Sequence, residues 1–126
     1  MHRIGIIGSD SSHAAAFSAL INKPDIETGS LLFPDCTVTG IFGEDSVKTK
    51  EVADKYSISF VAEDPKELMD KVDAVMVVLR DGDLHKEYAM PFIERGIPTW
   101  IDKPFTLKEE DALELIKIAK KNNTLL

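Results

Sequence analysis

The sequence predicts an α/β fold, a three-layer, doubly wound parallel sheet, on three observations. Strand-like and helix-like segments alternate along the whole chain with short connections, the pattern of right-handed βαβ units. The run Val75-Met76-Val77-Val78-Leu79 is apolar without alternation, as in a strand covered on both faces. The length, 126 residues, is that of one domain and is enough to bury a core without staples. Residues 1–126 therefore read as a single domain, with no repeat, low-complexity tract or linker.

The elements follow in order. Arg3 to Ile7 is a short apolar strand ending at Gly8. Ser12 to Ile21 is an alanine-rich helix with Phe17, Leu20 and Ile21 on one side. Asn22 to Asp35 is a loop with two prolines and Gly29, whose Leu31-Leu32-Phe33 is expected to tuck against the body. Cys36 to Phe42 is β-branched and strand-like, Asp45 to Lys55 helical, and Ile58 to Val61 a short strand. Asp64-Pro65-Lys66-Glu67 is a helix start, with Asp at the cap, Pro at the first helical position and Glu placed for a capping box.

After the apolar fourth strand, Leu84 to Arg95 is a helix bent near Pro91 and stopped at Gly96. Ile97 to Ile101 is the fifth strand. Thr106-Leu107-Lys108-Glu109 is a second capping box. Its helix carries Ala112, Leu115, Ile116 and Ala119 on one stripe, with Lys117, Lys120 and Lys121 suiting the dipole at its end. Thr124-Leu125-Leu126 reads as a new strand cut short.

Composition narrows the partners. Hydrophobic residues make up 44% and charged residues 29%, which is globular rather than disordered. Fifteen Lys and Arg against 22 Asp and Glu give −7, so nucleic acid and anionic membrane surfaces are poor partners. An anionic ligand must be held by local dipoles and a few placed cations. Cys36 is the single cysteine and forbids an internal disulfide. No apolar run reaches the roughly 18 residues of a membrane span, and no leader precedes Ile4; a cytoplasmic location is the expectation. There is no Walker lysine loop and no nucleophile elbow. His2, His13 and His85 are too far apart for a short-spaced metal pair, so no metal is expected.

Ligands of doubly wound sheets sit beyond the carboxyl ends of the strands, at the switch in strand order. Four strand exits are therefore candidates. The first is Gly8-Ser9-Asp10-Ser11-Ser12-His13. A dinucleotide loop would put glycines at the Asp10 and His13 positions, so that backbone approaches a pyrophosphate at the helix N-terminus. Either the serine hydroxyls reach the phosphate with Asp10 turned away, or Asp10, Ser11 or Ser12 merely caps the helix. The second exit, Gly43-Glu44-Asp45, offers Glu44 to ribose hydroxyls, with Asp45 as a helix cap.

The third exit, Leu79-Arg80-Asp81-Gly82-Asp83-Leu84-His85, gathers ionisable groups at the rim. Arg80 is the nearest cation for a phosphate or carboxylate, and Asp83 is expected to cap. His85 is either a proton shuttle or ligand donor, or a first-turn residue bonded to backbone. The fourth exit is Asp102-Lys103-Pro104-Phe105. A lysine there is expected to point into the crevice, where burial would suit its amine to proton transfer or substrate anchoring. A cis Lys103–Pro104 bond would aim it inward; the alternative is a turn with a solvated lysine.

At Asp102-Lys103-Pro104 the chain resembles the N-terminal domain of the glucose–fructose oxidoreductase / inositol dehydrogenase (Gfo/Idh/MocA) family. The likeness spans Ile4-Gly5-Ile6-Ile7-Gly8, Val72-Asp73-Ala74-Val75 leading toward Leu84-His85, and Gly96-Ile97-Pro98 before Asp102-Lys103-Pro104-Phe105, which matches a Glu-Lys-Pro signature with Asp for Glu. The resemblance implies a Rossmann domain that binds NAD or NADP, from a dehydrogenase of a sugar- or polyol-type substrate. It implies that Lys103 lies near the nicotinamide ribose and substrate as the catalytic residue. The cofactor site would comprise Gly8, Ser9, Asp10, Ser11, Ser12, His13, Glu44, Leu79, Arg80, His85, Asp102, Lys103 and Pro104. His13 matches a histidine the family carries early in the first helix, if the loop here is shorter, and Gly43 falls where the family has its acidic residue. The resemblance further implies a second α/β domain, absent from this chain, that supplies most of the substrate pocket.

Two other classes fit parts of the sequence. A phospho-acceptor receiver domain shares the size, the acidity and Lys103-Pro104-Phe105, but lacks the acidic cluster after the first strand and the hydroxyl residue after the fourth, where Leu79-Arg80 stands. A Rossmann-like module that has lost its dinucleotide and serves as a scaffold would account for Asp10.

Overall fold

A computed structural model describes residues 1–126. Five strands, β1 (His2–Ile7), β2 (Cys36–Phe42), β3 (Phe60–Ala62), β4 (Ala74–Val77) and β5 (Thr99–Ile101), form one sheet in the order β3-β2-β1-β4-β5. Every neighbouring pair is parallel. Four helices follow strands: α1 (Ser12–Asn22), α2 (Ser46–Tyr56), α3 (His85–Glu94) and α4 (Glu109–Lys121). None is long and apolar enough to cross a membrane.

Period-two alternation builds two cores. Ile6 and its neighbours Val38 and Ile41 face Ala14 and Ile21 of α1 and Ala53 and Tyr56 of α2. Ile7, one residue on, belongs with Phe42, Val75, Val77 and Leu79, against Ala89, Phe92 and Ile93 of α3 and Leu115 and Ala119 of α4. The expected three layers result, because successive strand side chains point to opposite faces. Burying each Val, Leu, Ile or Phe side chain among these contributes about 1.5–3 kcal/mol before entropy is counted.

β1 lies between the two halves of the winding. The chain proceeds outward to β2 and β3, then returns to β4 on the other side of β1. The exits of β1 and β4 thus flank the switch point, and their backbones are tied there. Val78 donates to the Ile7 carbonyl at 2.8 Å, Gly8 to that of Phe42 at 2.8 Å, and Asp102 to that of Val77 at 3.0 Å. At the opposite end of the sheet, Arg3 grips Asp73 at 2.8 Å, and the guanidinium holds that carboxyl well below the usual carboxylate range.

Several local expectations are corrected. Asp64 and Pro65 open a single 3₁₀ turn, Pro65–Leu68, rather than an α-helix; Leu68 is fully buried under the sheet, and its carbonyl accepts from Lys71 and Val72, turning the chain into β4. The Thr106–Glu109 capping box does not form. The Thr106 hydroxyl donates to the Lys108 carbonyl, and α4 starts at Glu109 without a side-chain cap. Leu31, Leu32 and Phe33 do not tuck in; each is 40–49% exposed. Ile116 is also exposed, leaving Leu115 and Ala119 to hold α4 down. Thr124–Leu126 joins no ladder, although Thr99 donates to the Leu125 carbonyl at 2.9 Å, so this segment lies beside β5.

Candidate functional site

The exits of β1, β4 and β5 meet in one crevice. A polar cavity of about 160 Å³ lies between the first turn of α1 (Ser11, Ser12, His13), the end of β4 (Val78, Leu79, Arg80) and the turn after β5 (Asp102, Lys103, Pro104). A larger depression of about 750 Å³ runs along β5, between Met76, Trp100, Ile116 and Leu126. It is almost wholly apolar and gathers no titratable group. Ligand sites need convergent polar groups as well as volume, so the smaller crevice is the candidate.

The β1–α1 turn is shaped by Gly8. Its φ is +109°, and a Cβ there would lie 2.8 Å from the Leu79 nitrogen. Only glycine accepts that backbone at that approach. Beyond it the hydroxyls diverge. Ser9 is buried, and its Oγ shares a hydrogen bond of 2.7 Å with Thr49 Oγ1. Ser11 Oγ donates to the Val78 carbonyl at 2.8 Å. Both hydroxyls are thus engaged within the fold. Ser12 Oγ has no partner in the fold and stays exposed.

Asp10 turns away from the helix. Its carboxylate accepts from the Arg80 backbone N–H at 3.3 and 3.4 Å. None of Asp10, Ser11 or Ser12 caps α1; Ser11 stands at the cap position without a side-chain bond. The first-turn N–H groups of α1 therefore open toward the crevice with no side chain filling them. That is the arrangement that receives an anion at a helix N-terminus. The Arg80 side chain is exposed on the same rim and engaged in no ion pair.

His13, in the first turn of α1, bonds through Nδ1 to Asp102 Oδ2. Burial raises the Asp102 carboxyl, but hydrogen bonds from His13 and from the Lys103 N–H outweigh it and hold the group below its ordinary range. The His13 ring meets Phe17 edge-on, and Phe17 meets Trp100, which fixes α1 against β5. Lys103–Pro104 is cis. Lys103 nevertheless stays exposed at the crevice mouth rather than buried in it.

His85 is completely buried. Nε2 lies 2.7 Å from the Leu79 carbonyl and Nδ1 3.3 Å from that of Phe105. Of the two readings, the first-turn residue bonded to backbone is the one observed, and it clamps the β4 rim to the turn after β5. Asp81, not Asp83, caps this segment, while Asp83 sits 3.7 Å from Lys108.

At the β2 exit, Asp45 caps α2 as expected, accepting from Val47 and Lys48. Glu44 accepts a 2.7 Å hydrogen bond from the Tyr88 hydroxyl of α3. Tyr88 was not legible as a site residue, although it follows His85 by three positions on the same helix face. Gly43 is packed shut. A Cβ there would lie 1.9 Å from Ser9 Oγ and 2.4 Å from Thr49 Oγ1.

Comparison with known proteins gives the family and the fold. Residues 2–126 match the sequence profile of an oxidoreductase family with an NAD-binding Rossmann fold. The chain is 22% identical over 120 residues to an inositol 2-dehydrogenase from Corynebacterium glutamicum, covering 94% of this chain and 33% of that protein. Among solved structures, UDP-N-acetylglucosamine 3-dehydrogenase GnnA from Acidithiobacillus ferrooxidans superimposes with a TM-score of 0.79 at 25% identity, over 99% of this chain and 36% of that one. A variant of the 3-ketoreductase KijD10 from Actinomadura kijaniata, crystallised with TDP-benzene and NADP, gives 0.81 at 24% identity, over 99% and 37%. The chain thus spans about a third of the length of these relatives.

Proposed function

This chain belongs to the Gfo/Idh/MocA family of oxidoreductases, and from that premise we propose that its crevice holds a nicotinamide dinucleotide for hydride transfer to or from a sugar- or polyol-type substrate. When bound, the cofactor supplies the hydride acceptor or donor; the protein supplies position and charge. The observation that carries the reading is the convergence of the uncapped α1 amino end and the Lys103–Pro104 turn on one cavity.

In this reading the N–H groups of the first α1 turn, the Ser12 hydroxyl and the Arg80 guanidinium receive the pyrophosphate. Gly8 lets the backbone approach it. The His13–Asp102 pair fixes the distance between α1 and the turn that carries Lys103. Lys103, at the mouth, anchors a substrate hydroxyl and exchanges its proton as the carbinol carbon changes oxidation state. A second domain contributes most of the substrate pocket, and the 126-residue chain alone binds cofactor without turning substrate over.

Calorimetric titration of the chain with NAD+, NADH, NADP+ and NADPH tests this. Saturable binding of at least one, weakened several-fold by Arg80→Ala, is expected. No binding of any at millimolar concentration would overturn it and favour the scaffold module.

A further inference from the structure

The proposal concerns how a ribose is read at the β2 exit, outside the polar cavity itself, and it rests on the cofactor reading above. In doubly wound sheets, an acidic side chain at the second strand's exit accepts from the adenosine ribose hydroxyls. Here the first residue of that exit cannot carry one. The Ser9 and Thr49 hydroxyls, bonded to each other at 2.7 Å, occupy the space beside the Gly43 Cα. The nearest carboxylate is therefore one residue further out, on Glu44, which is exposed and lies beyond the end of the β2 ladder. Its direction must be set by something else.

Tyr88 sets it. The ring leans on Phe42, the last residue of β2, with centroids 5.9 Å apart. Its hydroxyl donates to Glu44 Oε1 at 2.7 Å. One ring thus joins the end of β2 to the first turns of α3, next to His85, which is itself clamped to the β4 rim. A carboxylate has about four lone-pair sites, so one bond to Tyr88 leaves acceptors for a ligand. The charges around the pair are of one sign. Asp64 and Glu87 both act on the Tyr88 hydroxyl, and Lys48 of α2 is turned to Asp45.

We propose that Tyr88 is the specificity-determining positioning residue of the cofactor site: it holds the Glu44 carboxylate over the β2 exit, so that a ribose 2′-hydroxyl is accepted and a 2′-phosphate is repelled. The chain then selects NAD over NADP through a tether on α3, in place of an acid at position 43.

Titrations with NADH and NADPH, read by nicotinamide fluorescence, test the proposal on wild-type protein, Tyr88→Phe and Glu44→Gln, with circular dichroism to confirm folding. Wild-type protein is expected to bind NADH at least tenfold more tightly than NADPH. Tyr88→Phe keeps the ring against Phe42 and is expected to narrow that ratio about three- to tenfold, mostly by weakening NADH. Glu44→Gln is expected to bring it close to one. A ratio in Tyr88→Phe within twofold of wild type overturns the proposal while leaving the cofactor reading intact. Equal tightening of both nucleotides also overturns it, since the bond would then be closing the site. If wild-type protein binds neither nucleotide, the cofactor reading itself fails and this proposal falls with it.

Discussion

His13 and Asp102 stand 89 residues apart in sequence and share a hydrogen bond across the mouth of the crevice. One belongs to the first turn of the first helix, the other to the end of the fifth strand. The pair joins the helix terminus to the turn that carries Lys103.

Its pH dependence has a definite sign. The Asp102 carboxyl is lowered in the fold, so the stability it gives is fully present above the unfolded value, about 3.9, and is lost as pH falls through the lower folded value. Urea midpoints followed downward from pH 7 should fall steeply below about pH 4. Asp102→Asn should lower the midpoint at pH 7 and flatten part of that acid limb. An unchanged limb in the variant would contradict the pairing.

The Tyr88 phenol titrates in the opposite sense. Burial raises it, the bond to Glu44 adds to that, and together they push it to about 12. A raised group gives stability that is present below its unfolded value, about 10, and is lost as pH rises through the folded one. The difference in phenolate absorbance between wild type and Tyr88→Phe should show a midpoint near 12. Glu44→Gln should bring that midpoint down; one that stays put would mean the bond is absent in solution.

Replacing His85 by Phe should cost about 2–4 kcal/mol in urea unfolding. The carbonyls of Leu79 and Phe105 would lose the ring nitrogens that face them. A loss under about 0.5 kcal/mol would show that the clamp contributes nothing.

Gly43→Ala drives a methyl group into Ser9 Oγ and Thr49 Oγ1, at an expected cost of about 1–3 kcal/mol. Ser9→Gly in the same chain should recover part of that cost, because the two positions share one space. Strict additivity in the double variant would refute the shared-space account.

Ser18 offers a stabilising change. Its hydroxyl, on the buried face of α1, has no hydrogen-bond partner. Ser18→Ala removes that orphan and improves helix propensity, for a gain of roughly 1 kcal/mol in unfolding free energy. A loss of stability would indicate a partner for the hydroxyl in solution.

The fold was largely legible because the signals that specify it are local. Alternation of elements, the uninterrupted apolar run ending at Leu79 and the cap at Asp45 act over a few residues, through side-chain periodicity and backbone capping. Where local signals misled, a competing bond to a near neighbour in the chain had claimed the group. Glu67, placed for a capping box, accepts from the Glu63 N–H beside a 3₁₀ turn, and Thr106 is bonded to the Lys108 carbonyl instead of capping.

The site divides along the same line. By itself, the sequence nominated four strand exits, since a doubly wound order gathers the carboxyl ends of its strands on one side, and it placed Gly8, Arg80, Asp102 and Lys103 on the three that the fold brings to one crevice. Only the tertiary structure decided what each polar group does. Ser9 is bonded to Thr49, Asp10 to Arg80, Glu44 to Tyr88 and His85 to Leu79 and Phe105. A polar side chain near the core takes whichever partner packing delivers within about 3 Å, and for Ser9, Asp10 and Glu44 that partner lies 40 to 70 residues away, beyond the reach of any local pattern.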